Sequence, residues 1–158
     1  MADASRKARV AVLMGSRSDE AVMDKCFPYL DHFGILYEKH IISAHRNPEA
    51  LEAFCNDIGP KGIEIIIAGA GMAAHLPGVI ASKTTIPVIG VPLAGSAVNG
   101  VDALYSIVQM PAGIPVATVA IGSAGAKNAA VLAAQILALK YEEIGPKLVA
   151  FRKAGSKL

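Results

Sequence analysis

The chain has 158 residues, of which 15 are basic and 13 acidic, giving a net charge of +2, and it contains no tryptophan. At this length one domain spanning residues 1–158 is expected, with a core large enough to fold without disulfide or metal staples, and the near balance of charge, with no basic run beyond Arg6-Lys7-Ala8-Arg9, argues against nucleic acid as a partner. Apolar residues make up 53% of the chain and charged residues 18%, below the roughly 25% charged that is typical of soluble domains.

Met1 to Arg9 is polar, and the apolar stretch that follows runs for only about six residues before Gly15, too short for a signal-peptide core. Arg9 to Met14 reads as a first strand, and Asp19 to His32 as a helix with Ser18 or Asp19 as its cap. A second strand, Ile35 to Ile42, leads into a helix from Pro48 to Ile58. There proline sits in the first turn, where it is tolerated, and Glu49 faces the positive helix end. A third strand, Ile63 to Ala68, precedes a helix from Ala73 to Ser82. The pattern repeats with Pro87 to Val91 and Val101 to Gln109, then Val116 to Ile121 and Ala126 to Leu139, and closes with a C-terminal helix near 142–153. The apolar stretch from Ile63 to Ala81 carries Glu64, His75, Pro77 and several glycines, so it is not a membrane span.

Alternation of strand and helix argues for a parallel sheet, and the near-continuous hydrophobicity of the strands argues for helices on both faces. The expected fold is α/β, a three-layer α/β/α sandwich of flavodoxin-like or Rossmann type with five parallel strands, a core over about 8–140 and an additional C-terminal helix. A monomer of this size leaves on the order of 7,500 Å² accessible, and the chain has few charges to cover it. The helix from Ala126 to Leu139, with Lys127, Asn128 and Gln135 as its few polar positions, is apolar around most of its girth. Both features predict a homo-oligomer. Cys26 and Cys55 show no metal-ligand or CxxC spacing and read as buried reduced thiols of a cytosolic protein. A cytoplasmic location, no membrane contact and no metal site are therefore expected.

In open parallel sheets ligands bind beyond the carboxyl ends of the strands, and three loops there carry chemistry. Gly15-Ser16-Arg17-Ser18-Asp19 offers a tight turn, hydroxyls and amides for phosphate oxygens, and a carboxylate for ribose hydroxyls; the same residues would also serve as a plain capped turn. Ser43-Ala44-His45-Arg46-Asn47-Pro48 sets an imidazole, which exchanges protons near neutrality, beside a guanidinium suited to phosphate or carboxylate. These two loops read as halves of one site for proton transfer on an anionic substrate. The third, Ala68 to Gly78, has small residues that let backbone approach a flat ligand; tight strand–helix packing would use them equally. His75 within it either positions the loop or touches substrate. His32 and His40 read as surface or packing residues. No Rossmann GxGxxG follows the first strand, and Walker A, HExxH and GxSxG motifs are missing.

With these residues in view, the chain resembles the phosphoribosylaminoimidazole carboxylase family of purine biosynthesis in its class I form. The resemblance runs from about Val10 to Leu139 and rests on GSRSD at 15–19, FGILYE at 33–38, SAHRNP at 43–48, AGAGMAAHLPG at 68–78, PVIGVP at 87–92 and SIVQMPAGIPVATVAIG at 106–122. It implies a flavodoxin-like fold and a homo-octamer with sites at subunit junctions. The implied activity is that of an isomerase, a mutase converting N5-carboxyaminoimidazole ribonucleotide to 4-carboxy-5-aminoimidazole ribonucleotide through bound carbon dioxide, with no cofactor. It further implies that Ser16, Asp19 and Arg46 bind the ribonucleotide, Asp19 at the ribose and Arg46 at the phosphate, assisted by Ser18, Ser43 and Ala44. Ala70, Gly71, His75 and Leu76 are expected at the aminoimidazole and carboxylate pocket, and His45 as the acid/base. An ATP-dependent carboxyaminoimidazole ribonucleotide synthetase is the candidate partner for hand-over of the labile substrate.

Three positions depart from the family pattern: Asn47 stands where threonine is commoner, Met72 where glycine is usual and Glu20 where tryptophan is frequent. None removes a proposed chemical group, and Met72 bears most directly on the shape of the carbon dioxide pocket. Two other readings remain beside the mutase. One is the class II carboxylase, which takes free carbon dioxide and aminoimidazole ribonucleotide to the same product and is disfavoured by the HLPG form of the third loop. The other is a non-catalytic nucleotide-binding module in which His45 only hydrogen-bonds phosphate.

Overall fold

The computed structural model describes residues 7–158; Arg6 of the short basic run and the polar residues before it lie outside the described part. Five strands, β1 (Val10–Met14), β2 (Tyr37–Ile41), β3 (Ile65–Gly71), β4 (Val88–Leu93) and β5 (Ala117–Thr118), form one wholly parallel sheet in the order β2-β1-β3-β4-β5. This is the flavodoxin-like order, in which the chain reverses its direction of travel across the sheet at β1 and β3. Every residue of β1 and β4 and all but the last of β3 are buried, because parallel strands bonded on both edges are covered on both faces.

Side-chain alternation sorts the core into two halves. Val10, Val12 and Met14 of β1, with Ile65 and Ile67 of β3, face a cluster built from α1 (Glu20–Met23), α2 (Phe27–Phe33), α6 (Ser123–Leu137) and α7 (Ile144–Lys153). Ala11 and Leu13, with Ile66, Ala68 and Ala70, face α3 (Pro48–Lys61), α4 (Leu76–Lys83) and α5 (Val101–Val108). Three layers result. Gly69 lets α1 lie close to β3, since a Cβ there would run into the Met23 side chain.

Several boundaries differ from the expectation, each for a local reason. The helix predicted over Asp19 to His32 is broken: a 3-10 turn at Arg17–Asp19, α1, a second 3-10 turn at Asp24–Cys26, then α2. Pro28 lacks the N–H an unbroken helix would need, and Phe27 N–H closes the tighter 3-10 bond to Asp24 just before it. The cap is Ser16, in extended conformation, rather than Ser18 or Asp19. The helix expected from Ala73 begins at Leu76 with Pro77 in its first turn, and β3 runs on to Gly71. The fifth strand shrinks to two residues on the sheet edge, although Val119 N–H to Gly90 O and Gly122 N–H to Pro92 O carry the segment along β4. At the C-terminus α7 closes in a Schellman turn, with Gly155 left-handed and Ser156 N–H on Phe151 O at 3.0 Å.

Candidate active site

The three loops singled out in the sequence converge on one cleft of about 440 Å³ at the carboxyl ends of β1 and β3, where the sheet's connectivity reverses and a crevice must open. All eleven predicted site residues line it: Ser16, Ser18, Asp19, Ser43, Ala44, His45, Arg46, Ala70, Gly71, His75 and Leu76.

At the first wall, β1 ends at Met14 and the chain turns at once. Ser16 Oγ accepts from Ser18 N–H at 3.3 Å and from the Ser18 hydroxyl at 2.9 Å, while Asp19 N–H bonds Ser16 O at 3.1 Å. The Asp19 side chain makes no cap bond and is left facing the cleft. Burial raises its pKa above the ordinary 3.8, with hydrogen bonding at Ser16 and Ser18 pulling the other way. A partly desolvated carboxylate accepts hydrogen bonds only, so hydroxyl donors such as a ribose diol are its natural complement.

The second wall follows β2. Ile42 N–H reaches Met14 O at 2.9 Å, extending the ladder one residue and setting Ser43 beside the end of β1. Asn47 N–H bonds Ser43 O at 2.9 Å and Arg46 N–H bonds Ser43 Oγ at 3.2 Å, a tight turn that holds His45 and Arg46 outward before Pro48 starts α3. Among the described residues Arg46 forms no ion pair, which leaves its planar fork available for an anion.

The third wall is the β3–α4 loop. Met72 takes a left-handed backbone, φ +56, and two short bonds follow, Ala74 N–H to Met72 O at 2.9 Å and His75 N–H to Ala73 O at 2.7 Å. They swing His75 across the cleft until its Nδ1 lies 2.5 Å from His45 Nε2, the rings inclined at 78°. One ring must donate and the other accept, so two loops 30 residues apart share a proton position.

Two lining residues were not anticipated, Ala94 and Gly95. Both follow β4, and their place just beyond a parallel strand's carboxyl end is the signal that points to them. Met72, Ala73, Ala74 and Gly15 also line the cleft from within the loops already noted. His32 and His40 lie elsewhere, the exposed His32 beside Phe33 and Phe151 and the half-buried His40 against Phe54 and Glu38, which fits the expected surface or packing roles.

The chain is similar to known proteins in sequence and in fold. A family model described as AIR carboxylase matches residues 9–157. The N5-carboxyaminoimidazole ribonucleotide mutase of Saccharolobus solfataricus is 54% identical over 143 residues, covering 90% of this chain and 89% of that protein. The mutase of the same name from Escherichia coli K12 is 51% identical over 154 residues, covering 98% and 91%. Among solved structures, Treponema denticola PurE superposes with a TM-score of 0.84 at 31% identity, covering 93% of this chain and 90% of that one.

Proposed function

The chain belongs to the AIR carboxylase family, and from that premise we propose that it acts as an N5-carboxyaminoimidazole ribonucleotide mutase of purine biosynthesis with His45 as its acid/base. The observation that carries the residue assignment is the His45–His75 contact in a cleft whose other lining residues supply a carboxylate, hydroxyls and a guanidinium that forms no ion pair among the described residues.

In this reading Asp19 accepts from the ribose hydroxyls, and Arg46, with Ser16, Ser18 and Ser43, holds the phosphate. The aminoimidazole then lies over Ala70, Gly71 and Leu76. Protonated His45 gives its proton to the carbamate nitrogen as the N–C bond breaks, and the bond pair stays with nitrogen, releasing carbon dioxide. The ring carbon C4 attacks that carbon dioxide, forming the new C–C bond. Neutral His45 then removes the C4 proton, so the ring regains aromaticity and the histidine its starting state. One group performs both transfers, and the short contact with His75 fixes its ring for each. Holding carbon dioxide against C4 replaces an encounter from solution with a local one.

Supplying wild-type protein with freshly made N5-carboxyaminoimidazole ribonucleotide, and separately with aminoimidazole ribonucleotide and bicarbonate, tests the assignment. The mutase reading expects fast product formation from the carbamate and slow formation from the second pair. The reverse order would make the protein a carboxylase that uses free carbon dioxide.

The wider setting belongs to the same proposal: one domain, a cytoplasmic homo-octamer, and hand-over of the labile carbamate from an ATP-dependent synthetase. Support for assembly comes from Val101, Tyr105 and Val108, apolar and exposed along one face of α5, and from Leu139, 89% exposed. No described helix is long and apolar enough to cross a membrane.

A further inference from the structure

Met72 combines three features that ordinary packing does not explain. It is one of three non-glycine residues in the described chain with positive φ, a conformation disfavoured for a side chain with a Cβ and one that persists where surrounding structure, often a functional site, enforces it. It is an apolar side chain left 62% exposed. And it lines the cleft, three residues before the histidine that meets His45, in a loop otherwise made of glycine and alanine. The other described methionines contrast with it: Met14 and Met23 are fully buried, and Met110 is partly buried against the Gly78 side of α4.

We propose that Met72 is the cover of the reaction cleft, its thioether laid over the heterocycle so that carbon dioxide released beside His45 is kept from water until C4 captures it. This rests on the mutase reading and adds a specificity-determining residue to it. A flexible, polarizable thioether can follow a flat ring and makes favourable contacts with aromatic faces and edges. With substrate bound, the exposed apolar surface becomes buried surface, and the left-handed backbone at residue 72 is the local cost of presenting it. The backbone bond from Ala74 N–H to Met72 O, at 2.9 Å, couples that conformation to the turn that delivers His75.

The test follows the carboxyl carbon. N5-carboxyaminoimidazole ribonucleotide labelled with 13C at the carbamate is converted in unlabelled bicarbonate buffer. The label retained in product, and the aminoimidazole ribonucleotide that escapes, are measured for wild type, Met72→Gly and Met72→Leu, with the non-enzymatic decay subtracted. The expected result is near-complete retention in wild type, a several-fold rise in escaped aminoimidazole ribonucleotide for Met72→Gly, and restoration by Met72→Leu. The melting temperature of Met72→Gly should equal or exceed that of wild type, because glycine adopts the left-handed backbone without strain. Unchanged retention in Met72→Gly with normal wild-type turnover would overturn the role of Met72 alone. A smaller oligomer in that variant would also overturn it, by making Met72 an interface residue. Absence of product from wild type would sink the mutase reading and this inference with it.

Discussion

His45 and His75 meet through one nitrogen each, so the pair has room for one shared proton between the rings, and the remaining nitrogen of His45 is free to face a substrate. Asp19 gives this site a pH signature. Burial holds its carboxyl above its ordinary range, so the folded state carries no penalty below that range, where the acid is protonated in folded and unfolded chains alike. The penalty grows as pH rises through the raised folded value. Asp19→Asn is therefore expected to match wild type in melting temperature at acid pH and to exceed it at neutral pH, while KM for the ribonucleotide rises; thermal melts across pH with parallel kinetics check both. The cysteines make a second residue-level prediction. Burial, with Asp24 adding to it, pushes the Cys26 thiol up to about 12, and burial also raises Cys55. An aromatic disulfide reagent at pH 8 should label neither thiol in the native protein and both in denaturant. At this scale the sequence was informative, because His45, Arg46 and Asp19 are the residue types that proton transfer and anion binding demand. The close approach of His75 to His45 was not legible, since it depends on two short backbone bonds after a left-handed Met72.

The strands were legible in number and kind, and so were the helices apart from the first, which breaks into two 3-10 turns and two short α-helices; the ends of the elements were not. All five strands and the helices between them follow from hydrophobic runs and their punctuation. The break before Pro28 and the shortened β5, by contrast, arise from hydrogen bonds that either lack a donor or fall on a sheet edge. Helix α7 contributes none of the residues lining the cleft and is anchored by Phe151, which is 3% exposed and packs edge-on against Tyr29 and Phe33. Lys147 adds a bond to Phe33 O at 3.0 Å. Phe151→Ala should lower unfolding stability by about 3–5 kcal/mol while leaving KM near wild type in the folded protein. Urea unfolding followed by circular dichroism, with kinetics at low temperature, separates the two effects.

The described molecule is a doubly covered sheet with its candidate site gathered at the carboxyl ends of the central strands and apolar residues left exposed on outer helices. An apolar fraction of 53% is more than the two core clusters absorb, and Tyr105, 62% exposed at the centre of the α5 face, is well placed to be covered by another copy. If the proposed octamer uses this face, Tyr105→Glu should shift sedimentation toward smaller species than those wild type forms. Unchanged sedimentation would direct attention to Leu139 and α6 instead. A parallel sheet covered on both faces was legible from strand–helix alternation, which left flavodoxin-like and Rossmann orders open, whereas the proposed assembly was legible only as a surplus of apolar surface with no indication of which face it would occupy.

The central claim, that His45 moves the protons of a carboxyl migration, is tested most directly by following 4-carboxy-5-aminoimidazole ribonucleotide formation from the carbamate with wild type and His45→Asn at matched ribonucleotide occupancy. The account predicts rapid wild-type turnover, a loss of about 10²–10⁴-fold in kcat for the variant, and ribonucleotide binding retained. A folded variant that binds and turns over like wild type would contradict it.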